Sequence, residues 1–92
     1  MLIIQTTGQF DRDLKRIIKS GDKDISKIKA VMRQLAEPRQ LESKYKDHKL
    51  IGNYKGRREC HIAPDWLLIY QYKGNDTVLF ERTGSHSELF KK

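Results

Sequence analysis

One cysteine, Cys60, stands in 92 residues, so no intrachain disulfide can form. That fits a reducing compartment, and a cytoplasmic location is expected. No CxxC or HExxH spacing appears. No apolar run approaches membrane-spanning length, and the short apolar start Leu2-Ile3-Ile4 turns polar at once. Signal peptide, lipid anchor and membrane span are therefore not expected. Repeats and low-complexity stretches are also missing, and nothing marks a domain boundary. Residues 1–92 read as a single domain, near the small end of what folds without staples. Acidic residues are the scarcer charge, at 12 against 19 Lys and Arg.

The net charge of +7 points to an acidic partner such as nucleic acid, anionic lipid or an acidic protein. The excess is uneven. Residues 44–58 carry Lys44, Lys46, Lys49, Lys55, Arg57 and Arg58 against Asp47 alone. Such a run is ordinarily a solvated face. This one also holds His48, Tyr45 and Tyr54, and cations beside aromatic rings suit RNA phosphates and bases.

Leu2–Thr6 reads as a strand. Phe10, Leu14, Ile17 and Ile18 predict a helix over 8–20, with Thr7 as its cap and Gly21 as its stop. Asp11 and Asp13 suit its first turn. Ile25, Ile28, Met32 and Leu35 predict a second helix over 23–36, capped by Asp22 and ended by Pro38. A short connection makes the two an antiparallel hairpin. Residues 38–56 show no clean period. Strands follow at 57–62, 65–72 and 76–83, joined by turns at Ala63-Pro64 and Gly74-Asn75. Trp66, Leu68, Tyr70 and Tyr72 share one face of the middle strand, and Leu67 and Ile69 the other, so this strand is central. The expected fold is α+β: β-α-α-β-β-β, with a two-helix hairpin packed on a largely antiparallel four-stranded sheet.

Three histidines sit in polar stretches of the second half: His48, His61 and His86. Histidine is the side chain best able to exchange protons near neutral pH. The meander places His61 and Asp65 at one tight turn, and the third strand returns Arg82 and then His86 to the same rim. Eight residues separate His48 from Arg57, where the meander opens, a stretch spanning about 26 Å when extended. It can reach the rim, but nothing forces it to.

Four ordered stretches resemble the YafQ branch of the RelE-type toxins, the toxin halves of bacterial type II toxin–antitoxin pairs. They are Lys46-Asp47-His48-Lys49-Leu50, Arg58-Glu59-Cys60-His61, Pro64-Asp65-Trp66-Leu67-Leu68-Ile69-Tyr70 and Glu81-Arg82-Thr83-Gly84-Ser85-His86. The resemblance covers nearly the whole chain and implies a metal-independent endoribonuclease, an mRNA interferase, commonly acting on the translating ribosome. The 2′-hydroxyl of the RNA would attack the adjacent phosphate and leave a 5′-hydroxyl end. The resemblance puts catalytic positions on His48, His61, Asp65 and His86, a phosphate-facing base on Arg82 and an aromatic on Phe90. It also implies an acidic DinJ/RelB-like antitoxin, in a heterotetramer or larger complex.

This chemistry needs a base for the 2′ proton, a cation for the phosphorane and an acid for the leaving oxygen. His86 is the favoured acid and His48, or else His61, the base. Asp65 orients an imidazole or is itself a base, and Arg82 binds non-bridging oxygens. Lys46, Lys49, Arg57 and Arg58 are candidate RNA contacts, with Tyr45, Trp66 and Phe90 for stacking, although Trp66 reads more naturally as core. A zinc site from the histidines and Asp65 is disfavoured, since no two share i, i+4 spacing and the setting is cationic. No metal or other cofactor is expected. The rival classes are a non-catalytic basic RNA-binding module and a toxin of related scaffold acting on another target.

Overall fold

The computed structural model describes residues 1–37, 48–49 and 56–90. Their elements are β1 (Ile3–Thr6), α1 (Gly8–Ser20), α2 (Ile25–Ala36), β2 (His48–Lys49), β3 (Arg58–Ala63), β4 (Trp66–Lys73), β5 (Thr77–Gly84) and α3 (His86–Leu89). The expected α+β order is present, with two additions. The sheet gains β2 as an edge strand, giving the order β1-β5-β4-β3-β2, and α3 follows β5. β1 runs parallel to β5; the other neighbours are antiparallel.

The Thr7 hydroxyl caps α1 by accepting from the Phe10 amide at 2.9 Å. Gly21, at a φ of 71°, closes the helix by donating to the Ile17 carbonyl. Only a residue without Cβ takes that left-handed turn freely. The second helix starts later than its pattern suggests. Asp24, not Asp22, caps it by accepting from the Ser26 amide at 3.0 Å, while Asp22 accepts from the Ser20 hydroxyl at 2.7 Å. Two aspartates two residues apart both offer a cap, and the outer one is taken by the end of α1.

β3 extends to Ala63 because the chain shifts register after His61 and pairs Ala63 with Trp66. The turn therefore falls at Pro64-Asp65 rather than Ala63-Pro64. β4 is buried on both faces, as its composition demands. Trp66, Leu68 and Tyr70 pack with Phe10, Ile17, Ile28, Val31 and Leu35 under the helices. Leu67 and Ile69 pack on the other face with Leu89 and Phe90.

The buried face of α1 differs from the expected stripe. Ile18 is 54% exposed, whereas Asp13 is wholly buried between Phe10 and Ile17. These three stand at i, i+3 and i+7, one helical face. The reason lies at the sheet edge. β1 pairs with β5 only as far as Phe80, and α1 takes over from there. The Thr7 hydroxyl donates to the Glu81 carbonyl, and Asp13 Oδ2 accepts the Thr83 amide at 3.2 Å. Asp13 also accepts Arg82 Nε at 2.8 Å, Arg82 Nη2 at 3.2 Å and Gln9 Nε2 at 3.1 Å. Burial opposes its charge, but these hydrogen bonds and the Arg82 charge hold its pKa below the ordinary 3.8.

A group with a lowered folded pKa contributes stability above its unfolded value and loses it as pH falls through the folded one. The Asp13 contribution should therefore be complete at neutral pH and vanish on strong acidification. Asp13→Ala leaves Arg82 and the Thr83 amide without their acceptor and should cost about 3 kcal/mol in urea unfolding at pH 7. The deficit should shrink as the pH falls below 3.8.

Candidate functional site

The candidate groups of β3 lie on the face of the sheet away from α1 and α2. Alternation along β3 puts Cys60 and Ile62 in the helix-side core. Glu59 and His61 fall on the other side, beside their register partners Ile69 and Leu67. His61 Nε2 lies 3.2 Å from Glu59 Oε1. Glu59 is 4% exposed.

Asp65, in the β3–β4 turn, faces the start of α3. Its Oδ1 accepts the His86 backbone amide at 3.0 Å and lies 2.7 Å from His86 Nδ1. The His86 backbone and then its ring lower the Asp65 pKa, keeping it a carboxylate well into acid. The two imidazoles meet edge to face, their ring centroids 5.6 Å apart. Each ring thus has its own carboxylate, which sets ring orientation and favours one tautomer.

α3 aims His86. Ser85 and Glu88 form a capping box: the Ser85 hydroxyl accepts the Glu88 amide at 3.2 Å, and Glu88 Oε1 accepts the Ser85 amide at 2.9 Å. The other Glu88 oxygen pairs with Arg16 at 3.2 Å, tying α3 to α1. This arrangement leaves little room for a side chain before the cap. A Cβ on Gly84 would lie 3.0 Å from Glu88 Oε1 and 3.4 Å from Arg16 Nη2.

His61, Asp65 and His86 therefore converge as the strand topology predicts. His48 lies on β2, its backbone opposite Glu59 in the register, next to the strand that carries His61. Arg82 meets a carboxylate of this chain. Its guanidinium is held in bidentate fashion by Asp13 at the edge of β5, so the fork predicted for phosphate is bound to a carboxylate of α1. Trp66 is 2% exposed and donates its indole N–H to Thr83, so it has no open ring face for a base. Phe90 packs against the Leu67, Ile69 and Leu89 cluster beside the site. Arg57 pairs with Glu81 at 2.7 Å, and Arg58 opens β3 half-buried. Lys49 is on β2; Tyr45 and Lys46 lie outside the described residues.

Glu59 is the site residue that sequence reading missed as a functional group. Its only signal was its place two residues before His61 on a strand, which puts both on one face. Glu59, His61 and His86 also offer three ligand atoms within 4.8 Å of one another, a donor set that suits a transition-metal ion.

A small α+β domain with paired imidazoles and carboxylates on one sheet face defines a class when set beside known proteins. The profile described as bacterial toxin of type II toxin-antitoxin system, YafQ, matches residues 2–91. The chain belongs to this family of toxins. It is 44% identical over 89 residues to the mRNA interferase toxin YafQ of Escherichia coli K12, covering 95% of this chain and 94% of that one. Its fold superposes on the E. coli DinJ–YafQ complex with a TM-score of 0.85 at 40% identity, covering 98% of this chain and 99% of that one. A metal-bound toxin from Helicobacter pylori superposes with a TM-score of 0.89 at 48% identity, over 98% of this chain and all of that one.

The Asp65–His86 contact makes a spectroscopic prediction. The His86 amide resonance should leave its hydrogen-bonded position below pH 3.8, in the step in which Asp65 protonates. Asp65→Ala should give the unbonded position at every pH in a nuclear magnetic resonance titration.

Proposed function

We propose that this chain cuts messenger RNA through attack of the 2′-hydroxyl on the adjacent phosphate. One observation carries the reading: two imidazoles, each bound to its own carboxylate, meet edge to face on the side of the sheet away from α1 and α2. Transfer of this kind needs one group to take a proton and another to give one. His86 is the acid. Its Nδ1–H donates to Asp65, which stabilises the imidazolium and leaves Nε2–H for the leaving 5′-oxygen. His61 is the base. With Nε2–H donated to Glu59, its lone pair is on Nδ1, ready for the 2′ proton. His48, one strand over, is the third proton carrier or a phosphate contact. Arg82 serves the frame through Asp13, so charge on the phosphorane falls to the basic stretch around His48, with Lys46 and Lys49. Phe90 is the stacking candidate beside the site.

The E. coli relative is an mRNA interferase, and a solved complex pairs it with DinJ. By likeness, the substrate here is messenger RNA on the translating ribosome. The partner is an acidic DinJ-like antitoxin that covers the basic face, in a heterotetramer or larger complex. The net charge of +7 suits both an RNA and an acidic protein. Among the described residues no helix is long and apolar enough to cross a membrane, and the cytoplasm is the expected location.

A second reading rests on the donor set of Glu59, His61 and His86 and on the metal-bound H. pylori relative. There the same side chains would hold a transition-metal ion, and the imidazole lone pairs would be spent on it.

Induction without antitoxin should stop growth and leave messages with new 5′-hydroxyl ends. His86→Ala should restore growth and lower cleavage in vitro by about 10²–10⁴-fold while the fold persists. A folded His86→Ala protein that still cuts at the wild-type rate would remove His86 as the acid. Cleavage should survive EDTA; loss with EDTA and recovery with zinc would favour the metal reading.

A further inference from the structure

The alternation that gathers Glu59 and His61 also brings Arg57 to their face of the sheet. Arg57 lies two residues before Glu59, and Arg58 pairs with Tyr70, so Arg57 stands beside Gln71 of β4. Gln71 shares a face with Leu67 and Ile69, the face away from α1 and α2. The third member of this row, Glu81, arrives by an irregularity. β5 pairs Phe80 with Tyr70 and Arg82 with Ile69, which leaves Glu81 as the extra residue of a bulge. Its Oε2 accepts Arg57 Nε at 2.7 Å and Gln71 Nε2 at 2.8 Å.

The bulge thus turns a carboxylate onto the face that carries the imidazoles, and what it holds there is a cation. The Arg57 side chain is 35% exposed and the Glu81 side chain 15%, so the guanidinium lies outside and the carboxylate beneath. Among the described residues Arg57 engages only through Nε. Its two Nη groups form the end of the fork, which takes two oxygens of a phosphate side by side. An exposed Arg–Glu pair contributes little to stability. Braced also by a third side chain, it instead fixes a rotamer-rich guanidinium before a ligand arrives, which lowers the cost of binding.

Position decides which phosphate. From the β3–β4 turn the order along this face is His86 on Asp65, then His61, Glu59 and Arg57. Four residues of strand put Arg57 about 13 Å from His61. Its side chain leans across Gln71 toward β5, clear of the phosphate that the two imidazoles would share. With His86 on the leaving 5′-oxygen and His61 on the 2′-hydroxyl, the 5′ side of the RNA leaves the site past His61. Lys73, exposed and two residues beyond Gln71 on the same strand face, continues the positive charge in that direction. We infer that Arg57, braced by Glu81 and Gln71, binds an RNA phosphodiester on the 5′ side of the cut. The inference rests on the reading of His61 as base and His86 as acid. It makes Arg57 a backbone contact that sets affinity and register, not base preference.

The test uses 2′-O-methyl probes, which lack the attacking hydroxyl and differ in their number of phosphates. One series grows on the 5′ side: a nucleoside 3′-phosphate, then mixed-sequence di- and trinucleotide 3′-phosphates, with the terminal phosphate in place of the scissile one. The other grows on the 3′ side from a nucleoside 5′-phosphate. Both are titrated into the full chain by nuclear magnetic resonance, with the Arg57 Nε–H and the Gln71 side-chain amide as reporters. In the first series one of the two added phosphates should tighten binding about tenfold, the effect of one charge-assisted fork, and move both reporters. Arg57→Gln should abolish that gain and leave the affinity of the mononucleotide unchanged. Arg57→Lys, which keeps the charge without the fork, should retain only part of the gain. Gains in the second series should be the same in all three proteins. An undiminished gain in Arg57→Gln would overturn the inference. So would an equal loss at every length, which reports net charge alone, or a loss confined to the second series, which places the contact downstream. A variant that loses antitoxin affinity and keeps the RNA gain would overturn it too, since Arg57 would then face the protein partner. Because no probe is cut, the two readings fail separately. A wild type that leaves messages intact yet shows the Arg57-dependent gain fails the nuclease reading and keeps the phosphate contact; one that cuts messages and shows no such gain fails the contact alone.

Discussion

A single buried carboxylate holds the frame of this protein together. Asp13 sits in the middle of α1 and accepts from both edge groups of Arg82 and from the Thr83 amide at a point where β5 has no further strand beside it. Without such an acceptor a sheet edge pressed against a helix would carry buried, unpaired donors, which folded proteins avoid. The same carboxylate lies 3.4 Å from Arg16, whose other nitrogen pairs with Glu88 in the cap of α3. A chain of charge therefore runs from α1 to the residue cap that sets the direction of His86. Packing alone would join helix to sheet; the charges decide how far α1 slides along β5 and where α3 begins.

Upon that frame the site is assembled from short-range pieces. Glu59 and His61 are neighbours on one strand face, Asp65 lies in the next turn, and His86 arrives with the helix that follows β5. Both imidazoles lean on carboxylates of opposite character. Glu59 is almost wholly buried, while Asp65 is open to solvent. Charge on His61 is consequently balanced in a drier setting than charge on His86, and such asymmetry between two proton carriers suits one as acceptor and the other as donor.

Much of this was legible in the sequence because it depends on local period. The stripe of α1, the two-faced apolar run of β4 and the turn residues fix the element order, and element order alone brings His61, Asp65 and His86 to one rim. Illegible parts depend on distance or on competition. Arg82 finds Asp13 from 69 positions away, and a carboxylate in the first half of a helix reads as a surface group suited to the dipole. Asp22 and Asp24 compete for one cap, which moves the start of α2. Glu59, between an arginine and a cysteine, reads as solvent-facing until the sheet closes over it. The capping box Ser85-His86-Ser87-Glu88 was visible as a pattern, yet a four-residue helix has too little period to declare itself.

The alternation of β3 has one more consequence, for the ways this chain can vary in length. Cys60 points into the core while its neighbours Glu59 and His61 point out. One inserted or deleted residue before Cys60 would turn the thiol outward and drive a carboxylate and an imidazole into the oily side of the sheet. The strand can accept a change of side chain far more readily than a change of count. Natural variants should therefore keep the number of residues from Glu59 to Asp65 while admitting gaps elsewhere, with the register shift after His61 kept as part of that count.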